Sequence, residues 1–243
     1  MKDKKTLFVV SDIHGHLSQL ILALAEAGFD VRDPSHWLIC CGDLFDRGRE
    51  NRGVYDFVMS LKRKVLVRGN HDERLMEVLR KKWIDEYDLY NGMATTLEEF
   101  FGKDCINEYG DLDLSEDEPM AQKLCDLIAE TVDYYETEHY VFVHGWLPTV
   151  KDSNPPRLLP NWRQADREAW HAARFSPWMQ YFCTPAVPKG KTVVCGHRPT
   201  ILASRVDPTR QPTDSSIYSR EGFFAIDAGA IRSGRINVLV LED

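Results

Sequence analysis

Five short apolar segments of the chain each run directly into residues that can bind a metal ion or a phosphate group. In chain order they are FVVSDIHG, LICCGDLFDRG, VLVRGNHD, YVFVHGW and TVVCGHRP. Continuous apolar strands that alternate with helices are typical of βαβ units whose sheet is covered on both faces. Because open α/β sheets bind ligands at the carboxyl ends of their strands, we expect these polar residues to meet at one site.

The rest of the chain supplies helices and two segments outside this pattern. Helical spacing follows the first two strands, in LSQLILALAEAGF and VYDFVMSL, and further strands are predicted at 140–143, 192–195, 223–226 and 236–241. The pattern over 72–138 is mostly helical, whereas 151–190 hold six prolines and three tryptophans and predict loops and short helices over the site. We therefore expect a single domain, 1–243, with a helical insertion at about 83–138 and a loop-rich cap at about 151–190.

Composition limits the classes of partner. A chain of 243 residues with 43% hydrophobic composition suits one globular domain. Its net charge of −8 opposes non-specific binding to nucleic acid or to an anionic membrane, so neither is expected as a partner. An anionic substrate stays compatible with this charge, because bound metal ions can reverse the local potential. Composition does not address the oligomeric state.

Targeting signals and cysteine spacing favour a cytoplasmic protein. No apolar run approaches the roughly 20 residues that cross a bilayer, and the N-terminus lacks the apolar core and cleavage site of a signal peptide. The six cysteines form no C-x-x-C pair. Several of them lie in strand-like apolar runs, where buried free thiols are ordinary, and we expect all to be reduced.

The polar motifs differ in how strongly each one alone indicates a functional site. A pair like Asp12-x-His14 is expected about 0.7 times by composition, whereas GNHD at 69–72 is expected about 0.001 times. In isolation, Asp12 suits a capped turn, Asp46 and Arg47 a salt-bridged turn, and His144 or His197 a core histidine. Their joint appearance, each after a strand, favours a functional site.

Together these motifs resemble those of the calcineurin-like metallophosphoesterases, specifically the phosphoprotein phosphatase branch. That branch carries D-x-H, G-D-x-x-D-R-G, G-N-H-[ED], H-G and G-H, here at 12–14, 42–48, 69–72, 144–145 and 196–197. Asp72 stands where eukaryotic members commonly have Glu, and the bacterial Ser/Thr phosphatase and diadenosine tetraphosphatase types are closer. The resemblance implies an α/β fold, a four-layer α/β/β/α sandwich with helical insertions.

The resemblance also implies a dinuclear metal site. Two divalent cations about 3.5–4 Å apart offset the charge of the phosphoryl oxygens and supply an activated hydroxide. By resemblance the first ion is held by Asp12, His14 and Asp43, and Asp43 bridges to a second ion. The second ion is completed by Asn70, His144 and His197. Carboxylate, amide and imidazole ligands suit Mn²⁺, with Fe or Zn as alternatives.

The remaining motif residues are expected to act on the phosphate and on the leaving group. Arg47 and Arg68 are candidate donors to phosphate oxygens, although a salt bridge is the alternative for Arg68. His71 is the candidate general acid, oriented by Asp46. The predicted phosphate-contacting set is Arg47, Arg68, Asn70, His71 and Arg174. Arg174 resembles a later phosphate-binding arginine only loosely, and a surface helix charge explains it equally well.

Other polar and aromatic residues are interpreted as structural. Asp72 is expected to support a metal ligand or Arg47. Asp227 is expected to be structural, with support of a site residue as the alternative. The histidines outside the motifs are expected on the surface or in the core; they are His16, His36, His139 and His171. Four tryptophans, Trp146, Trp162, Trp170 and Trp178, fit core or lid packing better than an aromatic wall for a nucleobase.

The expected activity is hydrolysis of a phosphorylated substrate, either a phosphoprotein or a nucleotide. The first hypothesis is a Ser/Thr protein phosphatase-like phosphomonoesterase, and the alternative is a symmetrical bis(5'-nucleosyl)-tetraphosphatase, which hydrolyses diadenosine tetraphosphate. A catalytically silent metal-binding scaffold predicts lost ligands, yet every motif ligand is present. The acidic net charge and the lack of an evident basic groove count against a nuclease.

Overall fold

The computed structural model describes residues 4–115 and 117–243. The predicted domain, 1–243, and the predicted insertion, 83–138, extend over positions 1–3 and 116, which lie outside the described residues. Within the described ranges, the predicted insertion contains three helices, and the predicted cap contains one helix and two short 3₁₀ helices. The assignment of the whole chain to one domain stays a prediction.

Strands and helices alternate as far as the third helix, after which come further helices and then the second group of strands. The strands are β1 (Thr6–Val10), β2 (His36–Cys40), β3 (Lys64–Leu66), β4 (Tyr135–Glu136), β5 (Tyr140–Phe142), β6 (Thr192–Cys195), β7 (Tyr218–Arg220), β8 (Phe223–Ala225) and β9 (Leu239–Glu242). The helices are α1 (Leu17–Glu26), α2 (Asn51–Ser60), α3 (Asn70–Lys81), α4 (Glu86–Tyr90), α5 (Met93–Phe101), α6 (Glu118–Ala129), α7 (Arg167–Arg174) and α8 (Ala230–Ser233). Short 3₁₀ helices lie at Trp162–Gln164, Trp178–Tyr181 and Thr200–Arg205.

The strands form two sheets with parallel centres. One sheet has the order β3-β2-β1-β9, in which β1, β2 and β3 are parallel and β9 is antiparallel to β1. The other has the order β4-β5-β6-β8-β7, with β5, β6 and β8 parallel and antiparallel strands at both edges. The carboxyl ends of the parallel strands therefore lie along a shared edge in each sheet.

Alternating side chains place the two sheets face to face. Leu7, Val9 and Ile39 of the first sheet share a buried cluster with Phe142 and Val194 of the second. The opposite face of the first sheet packs against α1, α2, α3, α5 and α6, and the opposite face of the second packs against α7 and the 3₁₀ helices. This period-two division explains the continuous apolar runs and confirms the predicted four-layer α/β/β/α sandwich.

The structure corrects two details of the predicted elements. The mostly helical interpretation of 72–138 is wrong at its end, where Tyr135–Glu136 form β4 beside β5, and β7 was not predicted. Both are edge strands of two or three residues, too short to show a periodicity. The packing interpretation of the tryptophans is confirmed, because all four are at most 3% exposed.

Two expectations about cysteines and membrane spans can be compared with the described residues. Each cysteine of the chain is a free thiol, and Cys183 is the exposed one. Among the helices in the described ranges, none is both long and apolar enough to cross a membrane.

Candidate dinuclear metal site

The predicted ligands come from strand ends of both sheets and converge on Asp43. Asp12 lies beyond β1, Asp43 beyond β2, His144 beyond β5 and His197 beyond β6. Asn70 differs, because β3 ends at Leu66 and Asn70 opens α3. Asp43 is grouped with His14 and His71 on one side and with His144 and His197 on the other, with donor atoms within 4.8 Å in each group.

Asp43 occupies the centre of this cluster. Its Oδ2 lies 3.5 Å from His14 Nε2 and 3.3 Å from His144 Nε2, while its Oδ1 accepts the backbone N–H of His71 at 3.0 Å. Burial alone would raise the pKa of this carboxyl, but His144, His71 and His14 hold it well below its usual range. Asp43 is therefore an ionised, central carboxylate with histidine nitrogens on two sides.

The histidine rings are oriented by backbone carbonyls. His14 Nδ1 donates to Phe45 O and His144 Nδ1 donates to Cys41 O, each at 2.8 Å, so each Nε2 faces the cluster. His144 Nε2 also lies 2.9 Å from Asn70 Oδ1. Despite burial, Asp43 raises the pKa of His144 to about 10, so a proton supplies positive charge at this position. A divalent cation bound there would replace that proton.

The surroundings of His197 and Asp12 show whether the cluster fits metal ions. Among the described residues, the buried His197 Nε2 has no hydrogen-bond partner. Burial and the neighbouring His144 lower the pKa of His197 to about 3, so its ring is neutral and can offer a lone pair. Burial and then the nearby Asp43 raise the pKa of Asp12, a repulsion that a cation would relieve. The donor set fits divalent cations with oxygen and imidazole ligands.

Asp46 and His71 form the expected pair beside the cluster. His71 Nδ1 lies 2.7 Å from Asp46 Oδ2, and the other carboxylate oxygen accepts from Thr96 Oγ1 at 2.7 Å. Burial opposes protonation of His71, but Asp43 and Asp46 outweigh it and raise the pKa of the ring. Thr96 belongs to α5, far from every motif, and no sequence signal marked it as part of the site.

Arg47 reaches the cluster from the same loop. Its guanidinium nitrogens lie 2.7 Å from His14 Nε2 and 2.8 Å from His71 Nε2. The backbone N–H of Arg47 donates to Gly92 O at 3.0 Å, which anchors the loop to the residue preceding α5. The position suits a donor to phosphate oxygens, and that role stays a prediction.

The other two predicted phosphate-binding arginines have protein partners instead. Arg68 donates through Nε to Thr131 Oγ1 at 2.8 Å and through its terminal nitrogen to Thr131 O at 2.9 Å, just beyond α6. The interpretation of Arg174 as a surface charge is wrong, because the residue is 3% exposed. It donates to Glu73 Oε2 at 2.9 Å and pairs with Asp133. The hydrogen bonds of both arginines run to these groups and not to the cluster around Asp43.

The loops that carry the site residues have an unusual backbone. Positive φ angles occur at Asp12 (52°), His14 (46°), Asp43 (57°), Asp46 (74°), Arg47 (71°) and His197 (66°). Non-glycine residues rarely adopt this left-handed region, and such strain concentrates at functional sites. These residues follow β1, β2 and β6, where the loops turn sharply and direct the side chains toward the cluster.

Glycines near the cluster permit close approach of the loops. At Gly69, an added Cβ would lie 2.1 Å from Asp43 Oδ1 and 2.3 Å from Asp43 N. At Gly42, with φ of 85°, it would lie 2.6 Å from Gly69 N. The two metal-ligand loops can therefore touch only because neither glycine carries a side chain.

Asp72 and Asp227 lie beneath the cluster and bind backbone groups. Asp72 accepts the N–H groups of Asp43 at 2.9 Å, Leu44 at 3.0 Å and Gly69 at 2.9 Å. It therefore supports the loop of a predicted ligand and not Arg47. Burial and the nearby Asp43 raise the pKa of Asp72 to about 6. Asp227 Oδ1 accepts Gly229 N at 2.6 Å, in line with its structural interpretation.

Comparison with known protein sequences connects this geometry to a family. The family model for calcineurin-like phosphoesterases matches residues 5–221. The symmetrical bis(5'-nucleosyl)-tetraphosphatases of Yersinia pestis (strain Pestoides F) and of Yersinia pseudotuberculosis (strain YPIII) are each 40% identical over 72 residues. That stretch is 29% of this chain and 24% of each relative, so the match spans about a quarter of the relatives' length.

Solved structures share the fold at low sequence identity. A candidate diadenosine tetraphosphatase superposes with a TM-score of 0.57 at 16% identity, over 100% of this chain and 94% of the other. A cold-active protein-tyrosine phosphatase of a psychrophilic Shewanella species gives 0.55 at 14% identity, over 98% and 75%. A protein serine/threonine phosphatase from Saccharomyces cerevisiae gives 0.53 at 12% identity, over 98% and 79%. Because the family model matches most of this chain, the chain belongs to the calcineurin-like phosphoesterases, a family of metal-dependent hydrolases.

Proposed function

We propose that the protein hydrolyses phosphomonoesters in the manner of a Ser/Thr protein phosphatase. The observation that carries the proposal is the position of the His71–Asp46 pair beside the buried cluster around Asp43. His71 Nδ1 lies 2.7 Å from Asp46, and the backbone N–H of His71 donates to Asp43 Oδ1. A proton donor thus lies at the edge of a site whose ligand set suits two divalent cations.

The metal ions would be held by the predicted ligands. Asp12, His14 and Asp43 would hold one ion, and Asp43, Asn70, His144 and His197 the other. When bound, the ions neutralise phosphoryl charge and activate the attacking water. Mn²⁺ is the proposed ion, with Fe or Zn as alternatives, and elemental analysis of the purified protein identifies it.

Arg47 would bind the phosphoryl oxygens. Its guanidinium lies between the rings of His14 and His71, so its donors are at the edge of the metal cluster. A planar guanidinium can donate two parallel hydrogen bonds to one phosphoryl group. This contact would hold the phosphorus in place while the bond to the leaving oxygen breaks.

His71 would protonate the leaving oxygen. Burial lowers the pKa of the ring, but the carboxylates of Asp43 and Asp46 outweigh it and raise the pKa, which favours the protonated form. Asp46 is fully buried and accepts from Nδ1, so Nε2, which accepts from Arg47 at 2.8 Å, is the nitrogen that would take up the proton when Arg47 turns to the phosphoryl group. Asp46 therefore sets both the orientation and the charge of the proton donor.

The second candidate is a symmetrical bis(5'-nucleosyl)-tetraphosphatase. It is favoured by the 40% identity over 72 residues to the Yersinia proteins of that name. The same metal ligands would act on a phosphoanhydride. In that case the leaving group would be a nucleoside diphosphate, and the adjoining surface would have to accept its charge.

A comparison of two substrates tests the proposal. The purified protein, supplied with Mn²⁺, would be assayed with a phosphoserine peptide and with diadenosine tetraphosphate. A higher kcat/KM for the phosphopeptide supports the phosphomonoesterase, and a higher value for the dinucleotide supports the second candidate. Inactivity toward both, in protein that contains metal, would contradict both assignments.

A further inference from the structure

A cavity of about 60 Å³ opens beside His71 and Asn70, between α3, α4 and α7. Glu73 and Arg74 line it from α3, Tyr87 from α4, and His171 and Phe175 from α7 and its end. Since His71 is the proposed donor to the leaving oxygen, this cavity lies on the leaving-group side of the phosphoryl group. None of the five strand-end motifs includes a residue of α4 or α7, and Arg174 is the one residue of these helices that the sequence predicted as a phosphate contact.

His171 is held in this cavity by a buried carboxylate. Its Nδ1 lies 2.8 Å from Glu73 Oε2, the same oxygen that accepts from Arg174 at 2.9 Å. Glu73 is 3% exposed, while the His171 side chain is 54% exposed. A carboxylate accepts, so Nδ1 donates and the ring is fixed in one orientation. Within the described part of the chain, His171 Nε2 has no hydrogen-bond partner and is free to contact a ligand.

Phe175 connects this histidine to the metal cluster. Its ring lies 5.1 Å from that of His171 and 6.1 Å from that of His197, between centroids. His197 is a predicted metal ligand, so the end of α7 that carries His171 adjoins the candidate metal cluster. A substrate atom just beyond the leaving oxygen would therefore be within reach of His171.

The charges of the cavity select against an anionic leaving group. Three carboxylates, Glu73, Glu77 and Asp88, are among the lining residues. Arg74 is the only lysine or arginine among the described lining residues, and it is held by Asp88 at 2.6 Å, Asp85 at 2.7 Å and Glu77 at 3.1 Å. The arginines around the cavity are already paired with these carboxylates, Arg174 with Glu73 at 2.9 Å and Arg167 with Glu73 and Glu77 at 3.8 Å. A nucleoside diphosphate placed here would therefore compete with the carboxylates for cationic partners.

The size of the cavity also favours a small leaving group. A cavity of roughly 150 Å³ accommodates a benzene ring, and liquid water occupies roughly 30 Å³ per molecule. The volume of about 60 Å³ is less than half that of a benzene-sized cavity, so only a small part of a substrate fits inside and the remainder of a longer substrate would lie outside.

We propose that this cavity receives the leaving group and that His171, oriented by Glu73, is a specificity-determining residue that contacts it. The inference rests on the proposed phosphomonoesterase and narrows its substrates to esters whose leaving group is small and uncharged, such as the side-chain alcohol of serine or threonine. Inorganic phosphate lacks a leaving group and would not reach His171.

The test compares a substrate with the phosphate product. In the Mn²⁺-loaded protein, His171→Ala is expected to raise KM for a phosphoserine peptide about tenfold, as for the loss of one hydrogen bond. The inhibition constant of inorganic phosphate should stay within about twofold, because no leaving group is present. His171→Gln, which retains a hydrogen-bonding group, should recover part of the lost affinity. His139→Ala, at an exposed histidine away from the cavity, serves as the matched control.

The outcomes separate the inference from the proposed function. Equal changes in KM and in the phosphate inhibition constant, or no change in either, would overturn the role of His171. A wild-type preference for diadenosine tetraphosphate would contradict the small, uncharged leaving group. A wild-type protein that contains metal but hydrolyses neither substrate would contradict the proposed function itself, and the inference with it.

Discussion

At the scale of the residue, Asp43 is the central side chain of the candidate metal site. It is 2% exposed and lies within 3.5 Å of histidine nitrogens on two sides. Both nitrogens lie near Oδ2, while Oδ1 accepts the backbone N–H of His71, so Oδ2 is the atom of Asp43 that would contact the metal ions. No neutral side chain of similar size offers the same negative charge there.

We expect Asp43→Ala to lose bound metal and activity together. Because the carboxylate is proposed to bridge both ions, kcat/KM should fall by more than about 100-fold. Elemental analysis and a phosphatase assay check this. Asp56→Ala, at an aspartate whose side chain is 63% exposed on α2, is the control and should change neither. Retention of both ions by Asp43→Ala would contradict the bridging role.

His71→Ala separates proton donation from metal binding. Removal of a general acid typically lowers turnover by about 100- to 10,000-fold. We expect such a fall in kcat for the phosphopeptide while the metal content stays unchanged, since His71 is not among the proposed ligands. The deficit should shrink with p-nitrophenyl phosphate, whose leaving oxygen needs little protonation. A uniform deficit across leaving groups, or lost metal, would contradict the assigned role.

At the scale of the element, the buried pair Arg174–Glu73 fastens α7 to α3. Arg174 is 3% exposed, contacts Glu73 and Asp133, and ends the helix that carries His171. Since α3 begins with Asn70 and His71, this pair sets the distance between the metal cluster and the proposed leaving-group cavity.

We expect Arg174→Met to destabilise the fold by about 3–5 kcal/mol, because it leaves Glu73 buried with one cation fewer. Denaturant unfolding measures the change in free energy. Arg167→Met, on the same helix with a side chain 77% exposed, is the control and should change stability by less than about 0.5 kcal/mol. A stable Arg174→Met variant that binds inorganic phosphate poorly would instead support the predicted phosphate contact.

The strands were predictable from the sequence, whereas the backbone conformation of the loops that follow them was not. The apolar runs identified β1, β2, β5 and β6 because buried parallel strands read as continuous hydrophobic segments. Asp and His adopt the left-handed region more often than most residues, but the great majority of them have negative φ, so the residue type alone does not predict this backbone at Asp12, His14, Asp43 and Asp46. The surrounding sheets impose that conformation.

At the scale of the whole molecule, the site joins both sheets. Asp12, Asp43 and Asn70 follow strands of one sheet, and His144 and His197 follow strands of the other. Metal ions held between them would therefore crosslink the two halves of the sandwich, and ligand binding to the native state alone stabilises it.

We expect Mn²⁺ to raise the melting temperature of metal-stripped protein. At about 100 times the dissociation constant, binding adds about 2.7 kcal/mol, which corresponds to roughly 5–10 °C for a chain of this size. Differential scanning calorimetry with and without Mn²⁺ measures it. The Asp43→Ala variant should show little shift under the same conditions. An equal shift in both proteins would place the stabilising ions elsewhere.

The sequence by itself determined the fold class and the residues that meet around Asp43. It could do so because the ligand types, their order and their positions after apolar strands are all local features. Only the tertiary structure decided that Arg174 is buried against Glu73, that Thr96 supports Asp46 and that His171 faces the cleft. These contacts join residues about 50 to 100 positions apart, and no local pattern encodes which distant side chains pack together.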